Sequence, residues 1–154
     1  ILEHNVLRIR QSNTYSRMTL LEDLKSHCKF SALNNKHFTF LLPEADILDE
    51  SFLDLVNQLI LTGEITDMFT KDEMISIVSE TAFRAEVQKS MPEWSESTEN
   101  LAKFFVRRIR RNFHCILCFS ASDPKFMARI RHYPALMSSC HLIWFTAWPA
   151  EGLQ

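Results

Sequence analysis

Glycine is nearly missing: the 154 residues include only two, Gly63 and Gly152. A backbone that wraps phosphate groups needs positions that tolerate positive φ and close approach, so this scarcity leaves little room for such a loop. No G-x-x-x-x-G-K-[ST] occurs anywhere in the chain, which removes both the nest of backbone donors and the phosphate-binding lysine. Long hydrophobic runs are lacking too. Residues 38–42 and 115–119 are far too short to span a bilayer, and residues 1–10 do not read as a signal peptide. There is no excess of charge of one sign, only a formal net charge of -2 and a pI near 6.3, so neither nucleic acid nor a membrane is an expected partner. Four cysteines, Cys28, Cys115, Cys118 and Cys140, come with no secretory signal and are expected as reduced thiols in an intracellular chain.

What remains is the composition of one soluble globular domain, 46% hydrophobic and 23% charged, enough to build a core. Residues 5–10 place Val6, Leu7 and Ile9 among polar neighbours and predict a short edge strand. Thr19 followed by Glu22 matches a capping box for a helix that carries Leu20, Leu21, Leu24 and Cys28 on one face and ends near Lys29. Residues 37–42 form an apolar run without polar alternation, stopped by Pro43, and predict a strand buried on both faces of a parallel sheet. Asp49 can cap a helix striped by Phe52, Leu53, Val56, Leu59 and Ile60, with Gly63 at its stop.

Residues 72–89 predict one further charged helix, and residues 90–100 a loop. A helix from Leu101 carries Phe104, Phe105 and Ile109 and ends in Arg107, Arg108, Arg110 and Arg111. Residues 113–119 predict a strand. Asp123 and Pro124 then supply an N-cap and a first-turn proline for a helix to about Arg131, ended by Tyr133 and Pro134. Residues 140–145 predict a last strand. Strands alternating with helices indicate an α/β unit with a mainly parallel sheet and no internal repeat.

The stretch Phe38-Thr39-Phe40-Leu41-Leu42-Pro43-Glu44-Ala45-Asp46 delivers carboxylates at the C-terminal end of a buried strand, where parallel α/β sheets place ligands. Alone this pattern is weak, because acidic caps after buried strands are common. Further stretches add to it: Ile47-Leu48-Asp49-Glu50-Ser51-Phe52-Leu53, Thr62-Gly63-Glu64-Ile65, Arg108-Ile109-Arg110-Arg111-Asn112-Phe113-His114 and Leu117-Cys118-Phe119-Ser120. Downstream lie Phe126-Met127-Ala128-Arg129-Ile130-Arg131-His132-Tyr133-Pro134-Ala135-Leu136 and Trp144-Phe145-Thr146-Ala147-Trp148-Pro149. Together they resemble, in one order over nearly the whole chain, the fourth AAA+ module of dynein heavy chains, the axonemal type more than the cytoplasmic.

That resemblance implies an incomplete AAA+ large subdomain, one partial module over residues 1–154, beginning near the family's second strand and so without its first strand and Walker A loop. It places Glu44 at an acidic Walker B position and Ser120 at the sensor-1 position. Pro43 departs from the family, whose cytoplasmic members have an aspartate there and axonemal ones commonly a threonine; proline offers neither a side-chain ligand nor an N–H donor. Arg129 and Arg131 fall where the family's module boundary lets an arginine reach a neighbour's nucleotide, a role suited to a planar, permanently charged fork. The competing reading is two solvated helix-end arginines favoured by the macrodipole.

The intact family module uses ATP and Mg, whereas this chain alone is expected to need no cofactor or metal and to hydrolyse nothing. Its implied partners are neighbouring AAA+ modules and a microtubule motor complex, its implied location the cytoskeleton, in a cilium or axoneme. The rivals are a stand-alone diverged α/β interaction domain without nucleotide and an ATPase with an unconventional site. Cys115 and Cys118 form a C-x-x-C, but on a strand they point to opposite faces, and no second pair supports a zinc site. The arginines at 107–111 read as a solvated helix end, and His114 as structural.

Overall fold

The computed structural model describes residues 5–9, 14–91 and 97–146. Three strands, β1 (Asn5–Arg8), β2 (Phe38–Pro43) and β3 (Phe113–Cys118), form a parallel sheet in the order β1-β2-β3. Leu7 lies opposite Phe40, and Phe40 opposite Cys115. Parallel neighbours need long crossovers, and helices supply them. Helix α1 (Arg17–Asn34) connects β1 to β2. Helices α2 (Ser51–Thr62), α3 (Lys71–Val78), α4 (Thr81–Ser90) and α5 (Thr98–Asn112) connect β2 to β3, and α6 (Pro124–His132) and α7 (Ala135–Ser138) follow. This is the expected α/β class with a parallel sheet, consistent with a partial AAA+ domain, and among the described residues β1 lies at the sheet's edge, as expected.

One face of the sheet is covered. Phe38, Phe40 and Leu42 alternate along β2 toward a core that includes Leu20, Leu24 and Cys28 of α1, Phe52, Leu53 and Val56 of α2, and Phe105 and Ile109 of α5. On the other face Thr39, Leu41 and Pro43 are half-buried, while Val6 is 60% and Ile116 52% exposed. The unbroken apolar run therefore does not mean burial on both faces among the described residues. Cys115 and Cys118 do fall on opposite faces of β3, and all four cysteines are free.

Several boundaries differ from the sequence reading. Helix α1 starts at Arg17, two residues before Thr19, because Ser16 is its N-cap and accepts from the Thr19 N–H at 3.4 Å; it runs on to Asn34, where Asn35 closes it in the left-handed region at φ 52°. The charged stretch after residue 70 is two helices. Thr70 and Glu73 make a capping box for α3, and Glu80 at φ -56°, ψ 125° breaks the chain before α4. Helix α5 begins at Thr98, inside the expected loop, because Ser97 caps it; residues 92–96 lie outside the described residues.

Asp49 still serves the start of α2, its Oδ1 accepting from the Ser51 N–H at 2.8 Å, although Glu50 is the N-cap. Gly63 and the Asp123–Pro124 start fall where expected. Residues 140–145 make no strand: residues 141–146 pair with nothing among the described residues, and Phe145 is 93% exposed.

Candidate functional site

Strands β2 and β3 end together, with Pro43 opposite Cys118 in the last pair of the register. A single 3-10 turn, Glu44–Asp46, follows β2, and Ser120 lies two residues beyond β3. The sheet thus brings Glu44 and Ser120 together across 76 residues of chain: the Ser120 N–H donates to Glu44 Oε2 at 2.8 Å. The contact is made by the backbone of Ser120, and its exposed side chain is not part of it. Asp46, on the same turn, is fully buried and accepts from Arg8 Nε at 3.1 Å, tying the end of β1 to the end of β2.

Glu44's other oxygen is also engaged. Arg129, from α6, donates from Nη1 to Glu44 Oε1. The same guanidinium grips Glu50 at the start of α2, with Nε 3.2 Å from Oε1 and 3.1 Å from Oε2 and Nη2 2.7 Å from Oε1. Its Nη1 lies 4.0 Å from Asp123 Oδ2, and its Cζ 5.7 Å from the Phe119 ring centre. One planar cation therefore serves carboxylates from the β2 end, α2 and the α6 cap. Tyr133 completes the frame by donating from its hydroxyl to the Glu50 carbonyl at 3.0 Å.

The electrostatics follow from these contacts. Hydrogen bonds from Arg129 hold the Glu50 carboxyl below its ordinary value. That contribution to stability is present above the ordinary carboxylate range and is lost as pH falls through the lowered value. The Lys125 backbone N–H, first, and Arg129 hold Asp123 down in the same direction. Burial, with the Asp54 carboxylate next, pushes Tyr133 up to about 12, so its hydroxyl stays a donor at neutral pH.

Of the candidate residues, the fold brings Glu44, Ser120 and Arg129 together and leaves Arg131 outside. Arg129 is only 6% exposed and faces inward, so in this conformation it is not presented to a neighbouring molecule. Arg131, two residues on, is exposed. Sequence reasoning missed Glu50 and Tyr133 as members and took Asp123 only as a cap. A signal for Arg129 was present: it shares a helical face with Phe126 and Tyr133, at spacings of three and four, which argues for a buried stem. Beside the cluster, between β3, α6 and the segment after α7, lies a cavity of about 780 Å³ that Phe119, Phe126 and Arg129 help to line.

Comparison with known proteins identifies the family of the chain. The family model of the P-loop containing dynein motor region D4 matches residues 1–154. The chain is 35% identical over 153 residues to dynein axonemal heavy chain 8 of Mus musculus, covering 99% of this chain and 3% of that protein. It is 33% identical over 153 residues to dynein axonemal heavy chain 5 of Rattus norvegicus, 99% of this chain and 4% of that one. To the dynein gamma chain, flagellar outer arm, of Chlamydomonas reinhardtii it is 32% identical over 142 residues, 92% and 3% respectively. The chain thus spans 3% to 4% of the length of these relatives. No helix among the described residues is long and apolar enough to cross a membrane. With the whole chain matched and the parallel sheet in place, this protein belongs to the family of the dynein motor region D4.

Proposed function

We propose that the chain serves as part of a dynein-type motor ring, the large subdomain of its fourth AAA+ module over residues 1–154, contributing packing and contacts between modules without turning over ATP by itself. The observation that carries this reading is the state of Glu44. It stands at the end of the central strand, where the family's acidic Walker B residue belongs, yet both of its oxygens are already bonded, one to Arg129 and one to the Ser120 N–H. A carboxylate so engaged has already given an acceptor site on each oxygen to the protein, one of them to a cation, which weakens it as a ligand for a metal or a holder of water.

The neighbouring residues support the same reading. Pro43 supplies no ligand, and the sequence contains no G-x-x-x-x-G-K-[ST] to cradle phosphates. The residues present therefore do not fit the magnesium and ATP that an intact dynein module uses. Arg131 on the exposed side of α6 is the candidate for contact with an adjacent module, in the way a trans-acting arginine meets a neighbour's phosphate charge. The axonemal and flagellar names of the relatives support a setting in a cilium or axoneme, within a microtubule motor complex.

Equilibrium titration of the chain with labelled ATP and magnesium tests the reading. It predicts no saturable binding at micromolar concentrations. Micromolar affinity that Glu44→Gln or Arg131→Ala abolishes would overturn it.

A further inference from the structure

The misfit between this cluster and a divalent cation has an identifiable cause. Glu44, Glu50 and Asp123 converge from three separate elements, and the guanidinium of Arg129 lies among all three, 6% exposed, bonded to the first two and 4.0 Å from the third. Three carboxylates so close repel one another unless a cation stands between them. An ammonium could meet one of them as a point charge. The guanidinium meets Glu44 with one nitrogen and Glu50 with two others, using its fork to hold the end of β2 against the start of α2.

We propose that Arg129 is the resident cation of this cluster, an autoinhibitory contact that holds the place a divalent metal would take and so keeps metal away from Glu44. The inference rests on the reading of Glu44 as the acidic position of a nucleotide site and adds the reason why that position is closed. Arg129 acts here as a positioning residue. Its charge stabilises the cluster without metal, and the Phe119 ring, whose centre lies 5.7 Å from its guanidinium carbon, helps to keep it in place.

Manganese binding, followed by the loss of the free-ion paramagnetic resonance signal, tests this on the 154-residue chain without nucleotide. The wild-type chain is expected to show no binding that depends on Glu44. Arg129→Gln should gain manganese affinity by roughly tenfold or more, and Arg129→Gln combined with Glu44→Gln should lose that gain. Equal affinity in wild type and Arg129→Gln, or a folded Arg129→Gln chain that gains none, overturns the proposal.

A second measurement does not depend on how the variant folds. In the wild-type chain the Nε–H resonance of Arg129 should keep its position and its slow exchange when millimolar magnesium is added; a magnesium-induced shift that Glu44→Gln removes overturns the proposal. The nucleotide titration involves no change at Arg129, so the lock and the functional reading beneath it can fail separately.

Discussion

Arg108 is 4% exposed on α5, its guanidinium carbon 4.8 Å from the Phe104 ring centre and 5.6 Å from that of Phe83. Its Nη1 donates to the Ala32 carbonyl at 2.9 Å and to Glu86 Oε2 at 3.0 Å, and its Nη2 to Glu86 Oε1 at 2.8 Å. The fork is thus fixed to α4 and the end of α1 from inside the core, while Arg111 reaches Asn35 and Arg110 is exposed. Four arginines within five positions look alike in sequence and read as a solvated helix end. What separates Arg108 is its position on the Leu101, Phe104, Phe105 face, together with a carboxylate 22 residues upstream that a local reading cannot assign to it. Arg108→Ala should cost about 3 kcal/mol, the low end for breaking a buried pair because Glu86 can still reach water. A urea unfolding midpoint measures it, and Arg107→Ala, on the exposed side of the same helix, should leave the midpoint nearly unchanged.

Helix α2 ends at Gly63 for two reasons that substitutions can separate. Its φ of +79° is the left-handed conformation that closes the helix, with its N–H bonded to the Leu59 carbonyl at 2.9 Å. A Cβ built there would also lie 2.8 Å from the Cβ of Arg110, so α2 and α5 approach too closely for any side chain. Gly63→Ala should destabilise by about 1–3 kcal/mol from the backbone alone. Asn tolerates that backbone, yet Gly63→Asn should not restore wild-type stability, because the contact with Arg110 remains; thermal melting of the two variants checks this.

Elements of this kind were legible wherever a local signal was complete: Gly63 after an apolar stripe, Asp123 before Pro124, the apolar runs of β2 and β3. The run at residues 140–145 misled, because a strand needs a partner's backbone as well as apolar side chains, and no described strand pairs with it. The break at Glu80 was hidden for another reason. Its backbone turns extended, at φ -56° and ψ 125°, with no glycine or proline nearby to mark the turn.

Across the whole molecule, the three parallel strands deliver Glu44 and the Ser120 backbone to one end of the sheet, and α6 folds back to lay Arg129 over them. The position of Glu44 could be read from the strand that precedes it. Its neutralisation by Arg129 could not, since the two lie 85 residues apart and meet only once β3 and α6 have packed.

The central claim, that Arg129 closes Glu44 from within, is tested most directly by a double-mutant cycle on folding stability with Arg129→Gln, Glu44→Gln and the pair together. The contact predicts a coupling of about 1–3 kcal/mol, the double variant losing less than the sum of the single losses. Additivity within about 0.5 kcal/mol would contradict it.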